Sequence, residues 1–103
     1  MDKDTFCRIM IESKSSYKFL GAPDGFWISG GGVEKISPID EMSEKHKKNC
    51  IEYLEKHREG IGYGTFLEGI DVKKLKLTES DIEDLYKFAI EAVDEKIKQL
   101  KTT

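Results

Sequence analysis

The apolar positions of this chain fall into a few periodic runs. The last is the most regular: Ile82, Leu85, Tyr86, Ala89, Ile90, Val93, Ile97 and Leu100 lie on one side of a helix of about 3.6 residues per turn. Ahead of it, Thr78-Glu79-Ser80-Asp81 supplies a cap and early carboxylates. Asp81, Glu83 and Asp84 sit in the first turns, and Lys96, Lys98 and Lys101 near the end. That order complements the helix dipole. Phe88 and Ala92 widen the apolar face to about half the circumference, more than one neighbouring helix covers. The surplus is expected to touch a hairpin or a second copy of the chain, so a homo-oligomer through this helix is one expectation.

A second helical pattern starts near Met42, with Asp40 or Ser43 as cap, and stops at Gly60. It gathers Met42, His46, Cys50, Tyr53, Leu54 and His57 on one side, with Asn49 at the margin. Glu44, Lys48, Glu52, Glu55 and Glu59 take the other side. Both histidines are therefore expected in or beside the stripe facing the interior. Upstream, Phe26–Ser29 and Val33–Ile36 pair as a hairpin across Gly30-Gly31-Gly32, and Pro38 ends the second strand. Alternation puts Phe26 and Ile28 on one face and Trp27 on the other, as a lid over the helix or an exposed aromatic.

The remaining stretches are read as follows. Asp4–Glu12 fits a helix, capped by Asp4 or Thr5, slightly better than a strand. Tyr17–Leu20 reads as a short strand, closed by a turn in which Pro23 presets φ and Gly25 can take positive φ. The glycine-rich run 60–65 follows a helix and precedes no helical cap, which suits a helix exit better than a phosphate loop. Residues 71–77 read as a solvated connection with three lysines. The expected fold is a single α+β domain, residues 1–103, with a small antiparallel hairpin or three-stranded sheet packed against two amphipathic helices.

Apolar residues at 38% and charged residues at 36% exclude wholesale disorder. A membrane span needs about 18 to 20 consecutive apolar residues, and no run approaches that. A cytoplasmic location, in a bacterium or an infected one, is the expectation. Cys7 and Cys50 make no disulfide framework and read as thiols acting as small apolar residues. A formal charge of −3 with only Arg8 and Arg58 as arginines argues against nucleic-acid binding.

Trp27-x-Ser29, a glycine turn, Ile36-x-x-Ile39 and Met42-x-x-x-His46-x-x-Asn49-x-Ile51-x-x-Leu54 resemble a segment of small phage and prophage proteins. Those carry a Trp-Thr/Ser hairpin followed by a Met-Ser-x-x-His-x-x-Asn helix. Lys47 stands where that pattern often has a leucine, which bears on the packing of the helix's first turn. The resemblance implies a phage-type origin and no activity.

The helix from Met42 admits three chemistries. His46 and Cys50, four apart, could be two ligands of a zinc site, but His57 lies about 16 Å further along the axis. A Cys-His nucleophile would need an orienting group and oxyanion donors that no motif supplies. The third reading is a polar-aromatic patch of Trp27, His46, Asn49 and Tyr53, with rings for contact area and His and Asn for directional bonds. On that reading the chain is a non-enzymatic phage accessory protein that inhibits a host protein, for example in counter-defence, with Trp27, Asn49 and Tyr53 as contacts and His46 as polar anchor. No cofactor or metal is expected. The alternatives are a small-molecule binder sequestering a nucleotide-like signal stacked on Trp27 or Tyr53, and a small hydrolase or metal-binding protein.

Overall fold

In the computed structural model, which describes residues 1–15, 17–29, 35–61 and 65–102, three helices enclose a core against which a two-stranded hairpin packs. The fold is α+β, and the N-terminal element is a third helix, α1 (Lys3–Glu12). Its cap is Asp2, whose Oδ1 accepts from the Thr5 amide at 2.8 Å, rather than Asp4 or Thr5. Phe6, Ile9 and Met10 form its buried side, at helical spacing and not at the alternation of a strand.

The strand expected at Tyr17–Leu20 is absent. The chain there makes a single 3₁₀ turn, Lys18–Gly21. The cause is local: Ser15 Oγ accepts from the Tyr17 amide at 3.1 Å, and the Leu20 amide donates to Tyr17 O at 3.0 Å, so the backbone satisfies itself by turning. Gly21 then lies against α1 so closely that a Cβ would come within 2.8 Å of Cys7 O. Gly25 adopts φ +82°, the positive value its turn requires.

Strands β1 (Phe26–Ser29) and β2 (Lys35–Pro38) pair antiparallel with Trp27 opposite Ser37 and Ile28 opposite Ile36. The glycine corner, Val33 and Glu34 lie outside the described residues, and β2 runs on to Pro38. The sheet has two strands among the described residues, so a three-stranded sheet is not found. Trp27 is buried and Phe26 and Ile36 are exposed. Of the two places open to the indole, it therefore occupies the one against the core.

Helix α2 (Glu44–Gly60) begins at Ser43, whose Oγ accepts from the His46 amide at 3.1 Å. Helix α3 (Glu79–Thr102) begins with a reciprocal capping box: Thr78 N–H donates to Asp81 Oδ2 and Asp81 N–H to Thr78 Oγ1. The two helices pack together, and Arg58 of α2 forks onto Asp94 of α3 at 2.9 and 3.4 Å. Phe88 stacks on Phe6 of α1 with ring centroids 5.7 Å apart. On the wide apolar face of α3, Leu85, Ala89, Val93 and Leu100 are buried and Ile82, Tyr86, Phe88, Ile90, Ala92 and Ile97 are half-buried. No helix is long and apolar enough to cross a membrane among the described residues.

Candidate functional site

The four residues singled out in the sequence divide in two. Trp27 is 5% exposed, whereas His46, Asn49 and Tyr53 all lie on the outside of α2. The inward row of α2 is Lys47, Cys50 and Leu54, continued by Ile61. The expected stripe shares Cys50 and Leu54 with this row, but at about 100° per residue the row is centred about 60° from the middle of that stripe, toward Lys47. The expectation that His46 and Asn49 face the interior is corrected. Two features of the sequence hid the rotation. Met42 precedes the helix and does not fix its face. Lys47 reads as polar, yet its side chain is 7% exposed, with Nζ 3.7 Å from Glu44 Oε1. Its aliphatic stem lines the core while the charge reaches outward.

His46, Asn49 and Tyr53 nevertheless share one face, since spacings of three and four residues bring helical side chains into register. Three of the four residues of the expected patch thus form an exterior stripe, without Trp27. Its lower end is built on aromatic rings. Tyr53 is 41% exposed, but its inner side meets Phe19 at 5.1 Å, Trp27 at 6.3 Å and His57 at 3.9 Å between ring centroids. Phe19 in turn packs on Trp27 at 5.6 Å and Tyr17 on His57 at 5.2 Å. His57 Nδ1 lies 2.9 Å from Tyr53 O. A carbonyl oxygen only accepts, so Nδ1 carries the proton and the imidazole is fixed in orientation. Burial, and then the neighbouring Tyr17, push the Tyr53 phenol above its ordinary value of 10.0, so it remains a neutral donor.

The sequence places His57 on the Tyr53 side of the helix but does not connect Tyr17 and Phe19 with this patch. Tyr17 and Phe19 stand in a segment read as a strand, which would put both rings on one face of a sheet and gives no reason to bring them against α2. The 3₁₀ turn instead delivers both rings to α2. His57 was visible as one of two histidines four residues from Tyr53, a spacing that guarantees proximity on a helix.

The geometry also bears on the other chemistries. Cys50 is 5% exposed and burial pushes its thiol up to about 11, so it is a protonated thiol at neutral pH rather than a nucleophile. His46 is exposed on the neighbouring face. No group of three or more His, Cys, Asp or Glu is placed to hold a metal ion among the described residues. Trp27, buried against Phe19 and Tyr53, presents no open face to a nucleotide base. No family model matches the chain, nor does any curated protein sequence or solved structure.

Proposed function

We propose that the chain is a non-enzymatic accessory protein of the phage kind, acting in the cytoplasm by docking the outer face of α2 onto a host protein and inhibiting it. The observation that carries this reading is the state of Tyr53: open to solvent on one side and held from beneath by Phe19, Trp27 and His57. An aromatic ring already fixed in place loses little conformational freedom on binding, which is the property of side chains that dominate interface energetics. His46 and Asn49, exposed on the preceding turns, add directional hydrogen bonds at the rim. Trp27 supports the contact from below and does not itself touch the partner. The resemblance of residues 27–54 to phage proteins with a Trp-Ser hairpin and a His-x-x-Asn helix supports the host-protein partner over a small ligand.

A comparison of pull-downs from bacterial lysate tests the proposal. Wild-type chain and a Glu83→Ala variant, altered on exposed α3 surface, are expected to retain the same polypeptide, and Tyr53→Ala is expected to release it. Retention by all three, or by none, would contradict the assignment.

A further inference from the structure

Lys96 stands in the buried row of α3, between Val93 and Leu100, and is 3% exposed. Its ammonium donates to Pro23 O at 2.6 Å and to Gln99 Oε1 at 3.3 Å. Both acceptors are neutral, and no carboxylate lies within ion-pair distance of Nζ among the described residues. The nearest acidic neighbour in the turn, Asp24, is engaged by Lys3 at 3.5 Å and by Gln99 Nε2 at 3.3 Å. A buried cation without a counter-ion is costly, and the low-cost response is to give up the proton. Burial accordingly pulls the amine down to about 8, against the opposing field of Asp24.

The same side chain lines a cleft of about 210 Å³ between α1, α3 and the chain at Leu20–Asp24. Phe6, Leu20, Ala22, Phe88 and Ala92 make its apolar wall. An apolar cavity of about 150 Å³ accepts benzene, so a substituted aromatic ring fits this one. The ionisable groups on the cleft are Lys3, Lys96, Cys7, Asp24, Glu91 and Glu95. Three carboxylates against two amines disfavour an anionic guest. An uncharged one meets no such barrier.

We infer that this cleft is a covalent capture site for a small, uncharged, apolar aldehyde, which Lys96 takes up as an imine. The Nζ lone pair attacks the carbonyl carbon, and the carbonyl π pair moves to oxygen. A proton passes from nitrogen to oxygen to give the carbinolamine. Its hydroxyl takes a proton from solvent and leaves as water while the nitrogen lone pair closes the C=N bond, and the last N–H proton is returned to solvent. One amine and one aldehyde give one imine and one water, with no oxidant or reductant. Lysines desolvated in apolar surroundings are the ones suited to this chemistry. Cys7 does not compete, because burial raises its thiol above the ordinary 9.0 and keeps it protonated. The site shares no residue with the Tyr53 stripe, and either assignment can fail without the other.

The test is reductive labelling of the native chain with benzaldehyde and cyanoborohydride at pH 7.5, read residue by residue by peptide mass spectrometry. Lys96 is expected to be benzylated at least about tenfold faster than the exposed Lys98, with the advantage lost in urea. Excess toluene, which fills the cleft without reacting, and an Ala92→Phe substitution, which narrows it, are each expected to slow Lys96 and leave Lys98 unchanged. Labelling of Lys96 no faster than Lys98 would overturn the proposal. So would a fast reaction indifferent to toluene.

Discussion

The imidazole of His57 lies 3.9 Å, centroid to centroid, from the phenol ring of Tyr53 one helical turn earlier, and its Nδ1 is bonded to the Tyr53 carbonyl oxygen. This pair joins the exposed stripe of α2 to the buried aromatic cluster beneath it. Substitutions on its two sides should therefore separate binding from stability. Trp27→Ala, which empties a buried site, is expected to cost about 3–5 kcal/mol in urea denaturation. Tyr53→Ala, half outside the core, is expected to cost about 1–2 kcal/mol of stability. Its larger effect should be on the partner, at about 2 kcal/mol or more of affinity. Equal stability losses for the two would mean that Tyr53 is a core residue and not a surface anchor.

Parts of this arrangement are legible in the sequence. The cap at Thr78-x-x-Asp81, the positive φ at Gly25, a hairpin whose first strand is Phe26–Ser29 and the stop at Gly60 all follow from local chemistry, and the structure has each of them, although the second strand is Lys35–Pro38 and pairs Trp27 with Ser37, beyond the expected Val33–Ile36. What could not be read are facts settled by tertiary contact. Lys47 and Lys96 look like surface charges until a neighbouring element covers their stems. Tyr17–Leu20 has β-forming residues, but Ser15 and the close approach of Gly21 to α1 impose a turn. The expected stripe of α2 holds Cys50 and Leu54, which are buried, but leaves out Lys47 and takes in His46 and Asn49, which lie outside.

Lys96 gives a stability that depends on pH in a definite direction. Its folded value of about 8 lies below the ordinary 10.5, so between those values the unfolded chain binds more protons than the folded one. The penalty for burying the charge is complete below about pH 8 and fades toward pH 10.5, and stability rises across that window. Cys7 acts in the opposite sense, because the folded chain keeps a thiol proton that the unfolded chain begins to lose near 9.0. Subtracting the curve of Lys96→Met removes most of that second contribution. The stability of wild type minus that of Lys96→Met is expected to grow by about 1–3 kcal/mol between pH 7.5 and 10.5. A difference that stays flat, or falls, would contradict the burial of a counter-ion-free amine.

Two glycines with nearly the same backbone conformation should respond differently to alanine. Gly69 has φ +87°, and a Cβ there would lie 2.5 Å from the backbone of Lys14 and Ser15, where the Lys14 amide donates to Gly69 O at 3.0 Å. Gly25 has φ +82° with nothing within 4 Å of the added carbon. Gly25→Ala is expected to cost about 1–2 kcal/mol, the penalty of the left-handed conformation alone. Gly69→Ala must also displace the backbone that links α1 to the loop before α3, and is expected to cost more than about 3 kcal/mol. Thermal denaturation of the two variants side by side checks the ordering.

The central claim is that the outer face of α2 meets a partner at Tyr53. A photo-crosslinking phenylalanine analogue placed at position 53, and separately at the exposed position 83 of α3, measures this directly when each chain is irradiated in bacterial lysate. A single polypeptide joined from position 53, competed away by unlabelled wild-type chain and absent from position 83, is the predicted result. Crosslinks from both positions to the same set of abundant proteins, or none from position 53, would contradict it.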